Sequence, residues 1–412
     1  MSLSFHRARA AFEFPRAALA GLLCAALARG VFAADISYQP VVTIGTSANT
    51  NVELTSTQPV FAEGYAIDAS TLVGASTPRS DLTVLPRLLY QYYPTQKDLD
   101  RVEGLLSMST RYSWQRDRFT MEGFFDHRDD LNVEQPTAEY NPVTPGIGNT
   151  APGTGHIGLG ITRNFLILDP TFTHLITPLS SIGVAAEYQR MSYSPSDQSA
   201  HIDFNYYLGR VFYVWNLTPR LDATVGAFGS QYEAGSIDSH TTSGGAMFRT
   251  SYNWSEVLHS ALSLQYQDSK LVETSPKTLS QNSRPWAAEI TTVYESTISA
   301  YRLDVGRSIG PSAAGGLYTS DQVRGQYDRD LSRRLHFTGA VRLIHDRTIA
   351  GLNGNAGRDY TNAMVRLQWH LSPTLFIAGS YTNVWEKYRG ETSGADGNVV
   401  TLQFGYKGLP RQ

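Results

Sequence analysis

The chain has 412 residues, of which 41% are apolar, 11% aromatic and 17% charged, and its formal net charge is −3. This composition is too apolar for a disordered chain and too polar for a bundle of membrane-spanning helices. The slight acidic excess gives no electrostatic basis for binding nucleic acid, which is therefore not expected among the partners.

Residues 1–34 are predicted to be a secretory signal peptide. Basic residues such as Arg7 and Arg16 precede a short apolar core at 17–28, and a small-residue cleavage site follows. The core is too short to span a bilayer as an anchor. The only cysteine, Cys24, lies within it, so the exported chain is expected to use neither disulfides nor thiolate chemistry. Removing the signal moves the formal net charge from −3 to −6, because four basic residues and one acidic residue are lost.

Residues 35–412 alternate between apolar and polar side chains in runs of roughly ten, which is typical of β-strands. Val400, Leu402, Phe404 and Tyr406 share one face of such a run, and mostly polar residues share the other. We predict an all-β domain, a transmembrane antiparallel up-and-down β-barrel of 16 to 18 strands. The predicted strands are 37–50, 62–75, 80–93, 101–115, 118–129, 160–176, 181–194, 200–217, 220–234, 242–255, 258–270, 285–297, 299–309, 316–330, 334–347, 358–372, 374–388 and 397–407.

The connections between predicted strands are short on one side and long on the other. Residues 217–221, 331–335 and 371–375 each place a tight turn between two leucines. A soluble sandwich could show the same alternation, but aromatic residues cluster at the strand ends, as the two interfaces of a membrane barrel require. Since lipid cannot satisfy open sheet edges, the sheet is expected to close. The clustered aromatics are Tyr112, Trp114, Tyr213, Trp215, Tyr252, Trp254, Trp369, Tyr381 and Trp385.

Two features interrupt this regular pattern. Pro86 and Pro170 fall inside predicted strands, where they would remove ladder bonds and could mark bulges. The longest connection, residues 130–158, is rich in proline, glycine and asparagine. It is either a loop folded into the barrel or a loop covering the surface.

Three segments carry a resemblance to known proteins. These are Arg79–Leu88, Asp117–Phe119 leading into Asp129–Asn132, and Gly306–Ser312. They resemble the porin-like outer-membrane β-barrel proteins of Gram-negative bacteria. That resemblance implies an outer-membrane location and a barrel, and some such proteins are associated with polysaccharide export or surface sorting. Many such barrels end on an aromatic residue, whereas here Tyr406 is followed by six further residues.

If the apolar face contacts lipid, the opposite face lines a lumen with charged residues. We expect basic and acidic walls to face one another there and to create a transverse field at a constriction. The alternative is that these charges pair with neighbours such as Asp304, Asp328, Asp346 and Glu289. The six lumen-facing charges of the hypothesis are Arg249, Arg324, Arg342, Arg366, Asp126 and Glu187.

No enzyme, metal or cofactor site is predicted. The contiguous pairs Asp126-His127 and His345-Asp346 place their side chains on opposite faces of a strand, so neither can act as a preset acid–base pair. Asp238-Ser239-His240 has no better spacing. His259, His336 and His370 face the lumen from separate strands at unlike heights.

The predicted function is a passive porin-like channel for small hydrophilic solutes. A non-conducting accessory barrel of an envelope-assembly or polysaccharide-export system is the alternative, with the 130–158 loop as a plug. An envelope hydrolase is a third possibility that lacks any suitably spaced catalytic group. The expected partners are outer-membrane lipid and lipopolysaccharide, the barrel-assembly machinery and small solutes, and the oligomeric state is left open.

Overall fold

The computed structural model describes residues 34–140, 160–195, 201–235, 238–273, 279–313, 315–350 and 357–409. Nearly all of the predicted signal peptide and residues 141–158 of the predicted long loop lie outside these ranges. The described helical structure comprises α1 (Asp130–Glu134) and a 3-10 turn at Lys97–Leu99. The described strands are β1 (Asp35–Asn49), β2 (Ala62–Ser76), β3 (Ser80–Tyr92), β4 (Arg101–Ser113), β5 (Asp117–Asp129), β6 (Thr162–Thr177), β7 (Ser180–Ser194), β8 (Phe204–Thr218), β9 (Leu221–Ala234), β10 (Ser239–Asn253), β11 (Leu258–Glu273), β12 (Leu279–Ser283), β13 (Trp286–Glu295), β14 (Ser299–Ser312), β15 (Gly316–Asp330), β16 (Leu335–Ala350), β17 (Gly357–His370), β18 (Leu375–Tyr388) and β19 (Ala395–Lys407).

The strands form one closed antiparallel sheet. Apart from β12 and β13, each strand pairs with its neighbours in sequence, and β1 pairs with both β2 and β19. β12 and β13 both pair with β11, at its two ends, so together they occupy a single strand position. The barrel therefore has eighteen positions, and the prediction of a closed up-and-down barrel is confirmed.

Short turns join the strands at one end of the barrel, which we call the turn end, and longer connections join them at the other, the loop end. The turns at 77–79, 178–179 and 296–298 illustrate the first kind. In the turn before β7, Thr177 Oγ1 accepts from the Leu179 amide at 3.2 Å and stabilises the reversal. Both β1 and β19 have their chain-terminal ends at the turn end.

Pro86 and Pro170 interrupt pairing on one side only. At Pro86, the β2–β3 ladder skips from Ser70↔Arg87 to Val73↔Val84, and at Pro170 the β6–β7 ladder skips in the same way. The register is unchanged across each gap. The prolines therefore remove ladder bonds as predicted, but they do not insert the bulges that the sequence suggested.

The outer surface carries an apolar band. Val400, Leu402, Phe404 and Tyr406, on the outer face of β19, are 43% to 56% exposed. The pattern recurs on the other strands, and Trp254 and other aromatic residues lie near the turn end. In water such a band would be unfavourable, whereas hydrocarbon requires it. Among the described residues, no helix is long and apolar enough to cross a membrane.

The inner face is not uniformly polar, which corrects the sequence-based expectation. Near the loop end, Phe165, Met191 and Phe204 face inward and pack into a buried apolar cluster. The connection before β8 joins this cluster to the connection before β15, because the Ile202 amide donates to the Ala313 carbonyl oxygen at 2.8 Å. Apolar side chains therefore fill part of the lumen near the loop end, and charged side chains line it farther down.

Candidate functional site

Residues 130–140 leave the end of β5 and run into the lumen; we call them the inward segment. The segment begins with α1, whose first turn is capped by Asp129, because Asp129 Oδ1 accepts from the Leu131 amide at 3.0 Å. The helix ends at Glu134, and its C-cap residue Gln135 precedes Pro136, which restricts the conformation of the residue before it. The Gln135 side chain donates to the Val52 carbonyl oxygen at 3.0 Å.

The inward segment crosses the full width of the barrel. It starts at β5 and reaches β15, which lies nine strand positions away in either direction when β12 and β13 count as one. At the far wall, the Tyr140 amide donates to Gln326 Oε1 at 2.7 Å. The segment therefore divides the lumen at its own height.

Arg324 on β15 holds the far end of the segment. Its guanidinium donates to the carbonyl oxygen of Ala138 at 3.0 Å and to that of Glu139. The same guanidinium lies 3.8 Å from the centre of the Tyr140 ring, and Arg302 lies over this ring at 4.3 Å. The ring is thus placed between two cations, an arrangement that the negative potential of its faces favours.

β16 and β17 bind the middle of the segment. Arg342 donates to the Thr137 carbonyl oxygen at 3.4 Å, and the Tyr360 hydroxyl donates to the Pro136 carbonyl oxygen at 3.0 Å. Asn362 Oδ1 accepts from the Ala138 amide at 3.2 Å. Arg366 binds the Glu139 carboxylate through both terminal nitrogens, one of them at 2.9 Å. Backbone groups that would otherwise be buried without partners are satisfied by this wall.

Arg358 on β17 binds the helical start of the segment. It donates to the Glu134 carbonyl oxygen at 2.8 Å, and it forms ion pairs with the carboxylates of Glu134, Asp346 and Glu386 at 3.4, 3.1 and 3.1 Å. Burial raises the pKa of Glu134 to about 7, although the Arg358 guanidinium acts in the opposite direction. One guanidinium therefore serves three carboxylates.

The six charges of the lumen hypothesis do not form one group. Arg324, Arg342 and Arg366 come together on the inward segment, whereas Arg249 on β10 is exposed and lies apart from it. Asp126 pairs with Arg128 at 2.6 Å and Arg163 at 2.7 Å. Glu187 lies 3.5 Å from Arg210 and accepts from Gln189 at 2.6 Å.

Sequence reasoning did not single out Arg302, Arg358 or Tyr360 as part of the site. Alternation alone places Arg358, Tyr360 and Asn362 on the same face of β17 as Arg366, so that signal was present in the sequence. The sequence did not show where the inward segment lies. Only the position of that segment distinguishes the residues that bind it from the many others on the inner face.

A cavity of about 280 Å³ remains between the inward segment and the wall of β3 to β5. Arg87, Glu103 and Arg128 line it from the wall, and Asn132 and Thr137 line it from the segment. Arg87 pairs with Asp68 at 2.7 Å, and Glu103 accepts from Asn132 at 2.6 Å. Eight of its thirteen lining residues are polar or charged, and water is a suitable occupant of a space with such partners.

A closed sheet with an apolar outer band can span a bilayer, because its backbone groups are all paired between strands and its outer side chains suit hydrocarbon. Its charged inner wall is separated from the lipid. The chain is an outer-membrane β-barrel with a porin-like fold. Its exposed leucines, valines and isoleucines belong to the outer apolar band.

Several solved outer-membrane porins have a similar overall fold. OccAB3 of Acinetobacter baumannii is 9% identical with a TM-score of 0.46, and the match covers 92% of this chain and 100% of that one. OccK2 (OpdF) of Pseudomonas aeruginosa in complex with glucuronate is 10% identical with a TM-score of 0.46, covering 91% and 99%. OpdL of Pseudomonas aeruginosa is 14% identical with a TM-score of 0.41, covering 92% and 99%. No family model and no curated protein matches the sequence.

Proposed function

We propose that the protein is a passive channel for small hydrophilic solutes and that the inward segment forms its narrowest point. The observation that carries this proposal is the segment itself, which crosses from β5 to β15 and leaves beside it a cavity of about 280 Å³ that is partly lined by charged side chains. A segment used only to seal the barrel would have no need of a charged space along one side. A cavity of this size suits solutes of a few non-hydrogen atoms or a narrow file of water.

The charges at the constriction favour anions. Arg128 and Arg163 both bind the Asp126 carboxylate. Arg324 donates to backbone carbonyl oxygens of the segment. These acceptors are neutral, so the bonds do not cancel the positive charge of the guanidinium. A transverse field then runs from the β15–β16 wall across the lumen. On β17, Arg358 and Arg366 are paired with carboxylates, and Asp126 and Glu187 are balanced by arginines on their own wall.

Catalysis is not part of the proposed function. The contiguous pairs considered in the sequence divide between the two faces of the barrel wall. His127 binds Asn164 while its neighbour Asp126 binds arginines, and His345 binds Asp359 while Asp346 binds Arg358. Such a division leaves neither pair able to pass a proton to a shared substrate.

Planar-bilayer recording of the purified barrel tests the channel. We expect discrete single-channel steps and a reversal potential that reports preference for chloride over potassium. Absence of steps, with correctly folded barrel in the membrane, would contradict the proposal.

A non-conducting accessory barrel is the second candidate. It is favoured by the apolar cluster inside the loop end and by the contact between Ile202 and Ala313 that spans part of the mouth. This candidate expects no conductance from the wild-type protein. It also expects conductance to appear when the connection that contains Ile202 is shortened.

The lipid and assembly partners also belong to the proposal. We infer that the barrel-assembly machinery inserts the chain and that lipopolysaccharide contacts its outer face. What supports the second inference is Arg307, which lies 4.6 Å over the Trp286 ring on the lipid-facing side and pairs with Asp321 at 2.6 Å. An aromatic ring beside a cation is typical of the membrane interface.

A further inference from the structure

A row of charged side chains crosses the outer face of β14 to β18; we call it the charged row. In the strand ladders, Arg307 lies opposite Asp321, Asp321 opposite His345, His345 opposite Asp359 and Asp359 opposite Lys387. Residues two apart on a strand share a face, so all five point outward with the apolar band of the same strands. The row lies in the loop-end half of these strands. Charges on this face are tolerated best near a membrane interface, so the row marks the boundary of the hydrocarbon.

Positive charge is in excess at the charged row. Arg307 binds the Asp321 carboxylate at 2.6 Å, and His345 Nδ1 binds that of Asp359. His345 Nε2 accepts from Arg347 Nε at 2.5 Å, an arrangement in which the imidazole is neutral. In the part of the chain that the structure describes, three cations in or beside the row have no carboxylate within 4.0 Å: Arg347, Lys387 and Arg389.

Two of these cations lie on either side of Gly357. Arg347 is opposite Gly357 in the β16–β17 ladder, and the Arg389 amide donates to the Gly357 carbonyl oxygen at 2.9 Å. Arg389 Cδ lies 3.9 Å from the position that a Cβ on Gly357 would take. The strand between the two arginines therefore carries no side chain at this point, which leaves room for an anion beside both. Arginine is well suited to phosphate, which it binds through two parallel hydrogen bonds.

An apolar groove begins at the charged row and continues toward the turn end. Its upper part, of about 650 Å³, has Arg307 at the rim and Val305 below it. Its lower part, of about 740 Å³, includes Leu303, two residues farther along the same strand. Leu343 and Val341 connect the two parts on β16 in the same way. The two parts therefore form one groove on the membrane face.

Small residues form the floor of the lower part of the groove. Gly325 on β15 and Ala363 on β17 line it, and the rings of Tyr301 and Tyr327 stand beside them with their centres 4.6 Å apart. A recess of this kind gives an acyl chain more contact than a flat wall would, because dispersion depends on close approach. A second copy of the chain fits less well, since contact of this face with itself would bring the same cations together.

We propose that the outer face of β14 to β18 binds one molecule of lipopolysaccharide, with a phosphate of its lipid A on Arg347 and Arg389 and an acyl chain in the groove. The cationic rim and the apolar groove match the two parts of such a molecule. The longer loops of an outer-membrane barrel are extracellular, so the rim lies in the leaflet that holds lipopolysaccharide. This site deepens the lipopolysaccharide contact proposed above and rests on it, but it does not require that the barrel conducts.

Native mass spectrometry of the refolded barrel in detergent with purified lipid A tests the site. We expect one tightly bound lipid A per barrel. A variant with both Arg347→Gln and Arg389→Gln should bind lipid A roughly 10-fold or more weakly, because it loses charge-assisted hydrogen bonds to phosphate. The matched control carries Arg333→Gln and Arg334→Gln, which remove the same charge from an exposed turn at the opposite end of the barrel.

Ala363→Leu tests the groove separately, because it fills the floor without changing the charge. We expect its affinity for lipid A to fall several-fold. The matched control is Ala227→Leu, whose alanine is exposed on the outer face of β9 and does not line the groove.

Folding of each variant is checked by its heat-modifiable mobility in gel electrophoresis, and if the arginine variant does not fold, Ala363→Leu decides alone. Wild-type affinity in both site variants overturns this site but leaves a lipopolysaccharide contact elsewhere, whereas a wild-type barrel that binds no lipid A rejects both. Equal affinity for phosphatidylglycerol, or displacement of lipid A by an equal concentration of inorganic phosphate, rejects lipopolysaccharide as the occupant. A dimeric wild type that becomes monomeric in Ala363→Leu would assign the groove to a second copy instead.

Discussion

The Tyr140 hydroxyl donates to the Arg324 carbonyl oxygen at 3.1 Å while the Arg324 guanidinium lies 3.8 Å from the Tyr140 ring centre. The two residues are therefore joined by two contacts, one hydrogen bond and one cation–π interaction. This pair fixes the far end of the inward segment to β15, at the position directly opposite the strand from which the segment starts.

Replacing Arg324 by glutamine should release that end of the segment. The change removes two charge-assisted bonds to carbonyl oxygens and a cation–π contact, which together anchor the segment by about 3 kcal/mol. We expect larger and noisier single-channel conductance in planar bilayers. Arg249→Gln is the control, because Arg249 also faces the lumen but lies on β10, away from the segment. Equal conductance in the two variants would show that Arg324 does not hold the constriction.

Neutralising the basic wall should alter ion selectivity. A variant in which Arg324, Arg342 and Arg366 are all glutamine loses three positive charges at the constriction, so its reversal potential in a salt gradient should move toward cation preference. The control carries the same change in net charge at the exposed turn residues Arg220, Arg333 and Arg334. The transverse-field proposal fails if both triple variants keep the wild-type reversal potential.

Asp126→Asn should destabilise the barrel strongly. Asp126 is fully buried and accepts from Arg128 and Arg163, so the substitution removes the carboxylate that both guanidiniums bind. We expect a loss of about 3–5 kcal/mol in the free energy of unfolding, measured by urea titration in lipid vesicles. Asp81→Asn, which breaks the exposed pair with Arg111, should cost under about 1 kcal/mol. Similar costs for the two variants would mean that the Asp126 pairs are not important for stability.

Gly405→Val tests the packing of the inner wall near the turn end. The Phe376 ring lies across Gly405, and a Cβ on this glycine would meet a ring atom at 2.1 Å. The ring must move, which should lower the free energy of unfolding by about 1–3 kcal/mol. Gly379→Val on the neighbouring strand is the control, since nothing lies within 4 Å of its Cβ position. If both substitutions change the free energy of unfolding equally, the packing of the Phe376 ring does not depend on the absence of a side chain at Gly405.

The strands could be predicted from the sequence because their two faces meet different surroundings, so apolar and polar residues alternate along each strand. The observed bounds of β3, β7 and β18 lie within a residue of the predicted ones. β12 was not predicted because it has only five residues, and these are mostly polar and show no alternation of apolar and polar side chains. The break between β12 and β13 falls at Pro285, which has no amide hydrogen to continue the ladder.

The contents of the lumen were harder to predict. Alternation tells which side chains face inward, but not whether water or protein meets them there. The apolar cluster at the loop end had one signal, the continuous run Phe165–Leu168 in β6, which indicates burial on both faces. The hydrogen bond between Asp130 and His201 had none, because about 70 residues separate the two in sequence and only the closed barrel brings them together.

The seam between β1 and β19 has a consequence for how the protein is made. Val41 pairs with Lys407, and the Gln39 side chain donates to the Gly408 carbonyl oxygen across 369 residues of sequence. Neither strand can complete its hydrogen bonds until the other has been synthesised and delivered. Closure is therefore a late step that depends on contacts between residues far apart in sequence. Until it occurs, a chain that lacks its final hairpin has two strand edges whose backbone N–H and C=O groups are unpaired and open to aggregation.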